Sequence, residues 1–193
     1  MTYWDRLARL YSDLGRADFW FRHRLRLLDG VCGRALEACC GGGQLAAELR
    51  RRGVSVCALD LSRPMLRLAQ RALAGAGAPP GDVLQADVTR LPFAEASFDF
   101  VIVTGALGLL PRRAQQAALG ELARVCRGEV RLLEPVERQP GLYPGRVLAF
   151  LFDGMRPIRR DDLAACGLDV TIEWGILGAA FSYARCARRR VQP

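Results

Sequence analysis

The chain has 193 residues, which is enough for one well-packed α/β domain and too few for two comfortable domains. Hydrophobic residues make up 51% and charged residues 25%, a composition that excludes a disordered chain. The net charge is +8, and arginine carries the positive charge because lysine is absent. A GC-rich genome accounts for this arginine usage, although the positive field could also attract an anionic substrate or an acidic membrane surface.

The number and spacing of the cysteine and histidine residues bear on metal binding and on subcellular location. The seven cysteines form no CxxC pair and the chain has one histidine, so we expect no zinc or other metal site. No apolar stretch reaches the roughly 18 residues of a membrane-spanning helix, and the first residues lack the apolar core of a secretion signal. This pattern, with an odd number of cysteines, predicts reduced thiols and a cytoplasmic location.

The N-terminal segment is predicted to be helical. Apolar residues recur at helical spacing from Trp4 through Leu7, Leu10 and Tyr11 to Leu14, so residues 2–29 are expected to form one or two helices. Glycines at positions 30 and 33 end the segment. We therefore expect residues 1–30 to form a helical cap at the start of a single domain that spans residues 1–193.

From residue 34 onward, strand-like and helix-like segments alternate. The predicted strands are residues 35–38, 54–59, 83–86, 98–103 and 130–133, and the predicted helices are residues 44–52, 64–74 and 112–126. Such alternation predicts a parallel sheet with helices on both faces, which binds its ligands at the carboxyl ends of the strands.

The C-terminal part of the chain follows a different pattern. Residues 168–175 and 179–187 are strand-like, and the three residues between them are too few for a crossover helix. These two strands should therefore pair antiparallel. The predicted fold is an α/β, doubly wound, seven-stranded and mostly parallel sheet that closes with an antiparallel C-terminal hairpin.

A glycine-rich turn follows the first predicted strand. Cys39, Gly41 and Gly43 are spaced two residues apart, and Glu37 precedes them. Such a turn lets the backbone approach a ligand closely, and a carboxylate here would repel a pyrophosphate and favour a positively charged amino acid moiety. A simple turn between a strand and a helix is the alternative interpretation.

Two further acids end predicted strands. Asp60 is placed to accept hydrogen bonds from ribose hydroxyls, as it would be in an NAD enzyme. Asp87 could accept from the exocyclic amine of an adenine, with Val88 packing beside the ring. A helix N-cap is the alternative for each acid taken singly, but three acids at strand ends favour a ligand that carries a nucleoside.

These motifs together resemble those of the class I S-adenosylmethionine-dependent methyltransferases, in the broad group that includes the ubiquinone/menaquinone-type enzymes. The matching segments are residues 36–45, 59–66, 86–93, 97–103, 121–125 and 132–135, so the resemblance covers over half of the chain. It implies a Rossmann-like fold, methyltransferase activity and S-adenosylmethionine as the cofactor. The antiparallel hairpin also fits the sheet of this family.

The resemblance also implies roles for individual residues. Glu37 and the backbone of the glycine turn would hold the methionine part of the cofactor, and Asp60 would bind its ribose. The remaining implied cofactor contacts come from the turn, from residues around the adenine, from the substrate side of the pocket and from the N-terminal helix. They are Ala38, Cys39, Gly41, Gly43, Leu61, Met65, Asp87, Val88, Thr104 and Tyr11. Among them, Leu61 and Met65 would pack against the adenine, and Tyr11 could close over the cofactor or serve in ordinary helix packing.

The chain departs from the family pattern at two positions that bear on function. Cys39 stands where the family has glycine, so the turn is expected to sit slightly differently. Gly108 and Leu109 stand where the family often has a histidine pair, so the catalytic residue is left unassigned. The candidate bases are sparse: His23, which we interpret as a solvated helix residue between two arginines, Tyr11, Glu134, Tyr143 and Asp153.

The acceptor is predicted from the apolar segment 136–158, which is expected to form an insert or lid. An apolar lid suits a small aromatic, quinone-like or lipid-like acceptor better than a nucleic acid, and no basic-aromatic RNA module is present. Two alternatives stay open at this point. One is a non-catalytic S-adenosylmethionine-binding protein, and the other is a nucleic-acid methyltransferase, which the positive net charge favours.

Overall fold

The computed structural model describes residues 18–77, 79, 81–137, 155–176 and 181–188. The predicted helical residues 2–17, with Tyr11, lie outside the described residues, as do positions 138–154 of the predicted insert, with Tyr143 and Asp153. The helical cap over residues 1–30 and the lid over residues 136–158 therefore stay predictions.

Five α-helices and seven strands alternate through the described part of the chain, with 3-10 turns at Arg26–Leu28 and Leu107–Leu109. The helices are α1 (Asp18–Leu25), α2 (Gln44–Arg51), α3 (Arg63–Ala74), α4 (Arg112–Val125) and α5 (Arg160–Ala165). The strands are β1 (Arg34–Ala38), β2 (Ser55–Asp60), β3 (Val83–Gln85), β4 (Phe98–Thr104), β5 (Cys126–Glu134), β6 (Leu168–Ile176) and β7 (Phe181–Arg188).

All seven strands form one sheet in the order β3-β2-β1-β4-β5-β7-β6. The first five of these pair in parallel, whereas β7 pairs antiparallel with both β5 and β6. The predicted mostly parallel sheet with its antiparallel C-terminal hairpin is therefore confirmed. The strand order reverses between β1 and β4, and ligands of such sheets bind in the crevice beside this switch point.

Two apolar layers cover the two faces of the sheet. On one face α2 and α3 bury Leu45, Leu49, Leu66 and Leu73 against strand residues that include Ala35 and Val56. On the other face α4 and α5 bury Leu119, Leu122 and Leu163 against Leu36, Val101 and Leu132. This burial on both faces explains why the central strands are almost continuously apolar in sequence.

The fifth strand begins earlier than the sequence pattern predicted. β5 starts at Cys126, directly after α4, and not at residue 130. The start is fixed by Arg127, whose Nε donates to Asp99 Oδ1 at 2.7 Å, and by Gly128, where an added Cβ would collide with the carbonyl oxygen of Asp99. The side chain and backbone of Asp99 thus hold the start of β5 against β4.

A membrane-spanning helix is not found within the described residues, because none of their helices is long and apolar enough. The cytoplasmic location and the contact with a membrane surface stay predictions.

Candidate active site

A cavity of about 200 Å³ lies at the carboxyl ends of the strands, beside the switch point. Its walls come from the turn after β1, the end of β2 with the start of α3, the loop after β3 and the segment after β4. The lining residues are Cys39, Gly41, Asp60, Leu61, Met65, Ala86, Asp87, Val88, Thr104, Gly105, Ala106, Leu109 and Leu110. Most of the residues that the sequence marked as cofactor contacts are therefore brought together here.

Asp60 connects the glycine-rich turn to the end of β2. Its Oδ2 accepts a hydrogen bond from the backbone N–H of Gly41 at 2.8 Å, and its Oδ1 accepts from that of Ser62 at 2.9 Å. A carboxylate oxygen can accept more than one hydrogen bond, so Asp60 has the chemistry to bind hydroxyl groups of a ligand in the cavity. The Ser62 hydroxyl in turn caps α3 by accepting from the N–H of Met65 at 3.4 Å.

Asp87 and Leu61 form a second part of the cavity wall. One carboxylate oxygen of Asp87 accepts from both the N–H and the hydroxyl of Thr89, each at 2.8 Å, which fixes the turn after β3. Leu61 is 57% exposed, an unusual state for a leucine, and it contributes apolar surface to the cavity. Val88 is buried beside Asp87. An apolar wall with a carboxylate at its edge can hold a flat heterocycle that carries an amino group.

Cys39 adopts a left-handed backbone conformation of the kind that favours glycine. Its φ is 56°, close to the φ of 54° at Gly41, so the turn remains left-handed despite the cysteine side chain. The expectation that the turn sits slightly differently from that of the family stays a prediction. Burial, with Asp60 nearby, raises the pKa of the Cys39 thiol well above its usual range, so the thiol is neutral in the cavity wall.

Gly43 lies behind the cavity and permits close packing of α3. A Cβ on Gly43 would lie 2.8 Å from the Cα of Ala69, and the backbone φ is 71°. The residue lies outside the cavity lining, as does the fully buried Ala38. Their predicted contacts with the cofactor stay predictions.

Glu37 is turned away from the cavity lining and is buried between α1 and α2. Its Oε2 accepts from the backbone N–H of Ala46 at 2.8 Å, and its Oε1 lies 3.4 Å from Nη2 of Arg24. Burial raises the pKa of Glu37 to about 7, while Arg24 and the N–H of Ala46 act in the opposite direction. The predicted contact between Glu37 and the methionine part of the cofactor stays a prediction.

Two of the candidate bases have structural partners. The fully buried Glu134 accepts hydrogen bonds from the backbone N–H groups of Ala106, Leu107 and Gly108 at 2.7, 3.1 and 3.1 Å. His23 is half-buried, with Nδ1 3.2 Å from the hydroxyl of Tyr183, which donates to the His23 carbonyl at 2.6 Å. The interpretation of His23 as a solvated residue was wrong, because the helix packs this side chain against β7.

Gln115 was not recognised from the sequence, although a signal was present. It lies on the same face of α4 as Ala118, Leu119 and Leu122, and like them it is fully buried. A buried amide on an apolar helix face needs hydrogen-bond partners, so such a residue marks a specific contact. Arg24 was not recognised for a different reason: its partner Glu37 lies in another element, so the sequence shows no link between the two residues.

The comparisons with known proteins agree with this geometry. A family model described as a methyltransferase domain matches residues 35–129. The demethylmenaquinone methyltransferase of Thermus thermophilus is 36% identical over 160 residues, which cover 77% of this chain and 71% of the relative. That of Thermobifida fusca is 34% identical over 131 residues, 67% of this chain, and the chain spans only 54% of that relative's length.

A solved structure gives the same fold. The S-adenosylmethionine-dependent methyltransferase of Thermotoga maritima matches 96% of this chain and 98% of its own with a TM-score of 0.71, at 16% identity. S-adenosylmethionine is the cofactor of the methyltransferase family that these proteins represent. The chain belongs to the class I S-adenosylmethionine-dependent methyltransferases, in the group that contains the demethylmenaquinone methyltransferases.

Proposed function

We propose that this protein transfers a methyl group from S-adenosylmethionine to a small apolar acceptor, and that the acceptor carries a quinone-like ring. One observation carries the cofactor part of the proposal. The chain has a net charge of +8, yet among the described residues the charged side chains that line the cavity are the two acids Asp60 and Asp87. Two carboxylates suit a ligand with hydroxyl and amino donors and would repel the pyrophosphate of a dinucleotide.

The residues present fit the cofactor. Asp60 would accept hydrogen bonds from the ribose hydroxyls, and Asp87 would accept from the adenine amine. Leu61, Met65 and Val88 would pack against the adenine ring. When bound, S-adenosylmethionine supplies a methyl group that is already activated by the sulfonium, so the protein contributes mainly by orienting the reactants and excluding water.

The acceptor is proposed to bind against the segment after β4. Ala106, Leu109 and Leu110 give this side of the cavity an apolar surface, while Thr104 is buried at its base. The relatives named demethylmenaquinone methyltransferases support a quinone-like acceptor. The candidate bases His23 and Glu134 lie outside the cavity lining, and we propose that the reaction relies mainly on alignment of the two reactants.

Calorimetric titration with S-adenosylmethionine tests the cofactor site. Asp60→Ala removes hydrogen bonds to a charged acceptor, each of which contributes about 1.5–3 kcal/mol, so the affinity should fall by about 100-fold or more. The matched control is Asp161→Ala, which removes an exposed acid of α5 outside the cavity lining and should leave the affinity unchanged. Normal binding by the Asp60→Ala variant would contradict the proposal.

Release of S-adenosylhomocysteine tests the activity. We expect release with a prenylated naphthoquinol that lacks the ring methyl group, and less with phenols, amines, thiols or lipids. A protein that only binds S-adenosylmethionine would give no release with any acceptor. The positive net charge keeps a nucleic-acid substrate as the second candidate, and salt-dependent binding to RNA would be its signature.

A further inference from the structure

Two buried side chains hold the segment after β4 from behind. Glu134 accepts from three successive N–H groups of this segment, those of Ala106, Leu107 and Gly108. Gln115 reaches the same segment from α4, because its Nε2 donates to the carbonyl of Leu107 at 3.1 Å. Neither side chain lines the cavity, whereas Ala106, Leu109 and Leu110 do. Together, Glu134 and Gln115 fix the main chain of the cavity wall without forming its surface.

The same contacts join this wall to residues 155–158. Nε2 of Gln115 also donates to the carbonyl of Arg156 at 3.2 Å, and the N–H of Arg156 donates to the carbonyl of Gly108 at 2.6 Å. Met155 packs so tightly here that a Cβ on Gly108 would lie 2.8 Å from its Cγ. These contacts join the wall and residues 155–158 into one packed unit.

Arg112 completes the set of contacts around Gln115. Its Nη1 donates to Oε1 of Gln115 at 2.7 Å and to the carbonyl of Pro157 at 2.9 Å. Nε2 of the buried Gln115 amide thus connects α4 with the wall segment and with residues 155–158, while its Oε1 holds Arg112 of the same helix, which itself contacts Pro157. A leucine would fill an apolar helix face without such partners, so the amide has a specific role in orientation that packing alone does not explain.

We propose that Gln115 and Glu134 are positioning residues for the acceptor: they set the location of the wall formed by Ala106, Leu109 and Leu110, against which the acceptor packs. They act through the backbone and touch neither ligand. This inference rests on the proposed function, since it assigns the wall to the acceptor. It requires that loss of either residue weakens acceptor binding while the affinity for S-adenosylmethionine is retained.

The experiment compares Gln115→Met with Gln116→Met. Methionine keeps the length of the side chain but removes every hydrogen bond, and Gln116 is the exposed neighbour on the same helix. For Gln115→Met we expect the KM for the prenylated naphthoquinol to rise about tenfold, since a displacement near 1 Å can cost up to about 100-fold. The calorimetric Kd for S-adenosylmethionine should change by less than about twofold, and Gln116→Met should match the wild type in both.

The remaining outcomes separate this inference from the proposed function. A wild-type KM in Gln115→Met, or a Kd that rises together with the KM, would overturn the inference alone. A wild-type protein that methylates no quinol would overturn the proposed function and this inference with it. If Gln115→Met does not fold, Glu134→Gln decides by the same comparison, because it keeps the volume and exchanges only one acceptor oxygen for a donor.

Discussion

The left-handed conformation of Cys39 makes a quantitative prediction about the glycine-rich turn. A residue with a Cβ at φ near 56° costs about 1–2 kcal/mol relative to its preferred conformations, whereas glycine adopts this angle freely. Replacement by glycine also makes the unfolded chain more flexible, which costs about 0.4–1 kcal/mol. The net gain from relieving the strain is therefore about 1 kcal/mol.

Two substitutions at this position isolate the backbone effect. Cys39→Ala and Cys39→Gly both remove the thiol, so its lost packing cancels when the two variants are compared. The glycine variant should be more stable by about 1 kcal/mol, which corresponds to a melting temperature higher by about 2–4 °C for a domain of this size. Urea unfolding and thermal melting of the two variants measure the difference.

Gly120 provides a control at which replacing glycine by alanine should change the stability in the opposite direction. It lies inside α4, where nothing is within 4 Å of an added Cβ, so Gly120→Ala should stabilise the protein by about 1 kcal/mol. Alanine is thus expected to be the better residue at position 120, and glycine the better residue at position 39. Equal stability of Cys39→Ala and Cys39→Gly would refute the reasoning from backbone strain.

Two further substitutions test the packing behind the turn. Gly43→Ala combines a positive φ with a Cβ placed 2.8 Å from α3, so it should lower the free energy of unfolding in urea by about 2–5 kcal/mol. The control Gly77→Ala has a φ of 74° and open space around the Cβ, so it should lower that free energy by only about 1–2 kcal/mol. Equal losses in the two variants would contradict the clash. Arg24→Met leaves Glu37 buried without its ion-pair partner, so at pH 8 it should lose about 3–5 kcal/mol. Burial raises the folded-state pKa of Glu37 from 4.5 to about 7, so the folded state binds this proton more tightly than the unfolded state. The stability that Glu37 contributes is therefore fully present below about pH 4.5 and is lost as the pH rises through about 7, and the loss caused by Arg24→Met should shrink toward pH 5. A loss that does not depend on pH would contradict the pairing.

The sheet could be predicted because its signals are local. Strand-helix alternation from residue 34 and a connection too short for a crossover give the parallel strands and the final antiparallel pair. The order of the strands was not predicted and is seen only in the structure. The start of β5 was predicted too late because it depends on Asp99, a residue of another strand that holds Arg127 and excludes a side chain at Gly128.

The residues of the site were predicted from the sequence only where the end of a strand forms the surface that faces the cavity. Asp60 ends β2 and Asp87 follows β3, and both line the cavity as the sequence indicated. Gln115 was missed because the residues it contacts, Leu107 and Arg156, are far from each other in sequence. A helical pattern identifies such a buried amide as unusual, but only the fold shows which carbonyl groups receive its hydrogen bonds.

The acids near the carboxyl edge of the sheet divide into two groups according to where their side chains point. Glu37 belongs to the body of β1 and shares a face with Ala35, so its side chain enters the layer under α2 and binds the N–H of Ala46. Glu134 is buried too and binds N–H groups of the wall segment, while Asp60 and Asp87 reach the cavity. Glu37 accepts from a backbone N–H of α2 and Glu134 from those of the wall segment, and burial raises both of their pKa values to about 7. Loss of Glu37 or Glu134 should therefore change stability and its pH dependence, in addition to the effect on acceptor binding proposed for Glu134, whereas loss of Asp60 or Asp87 should act mainly on ligand affinity.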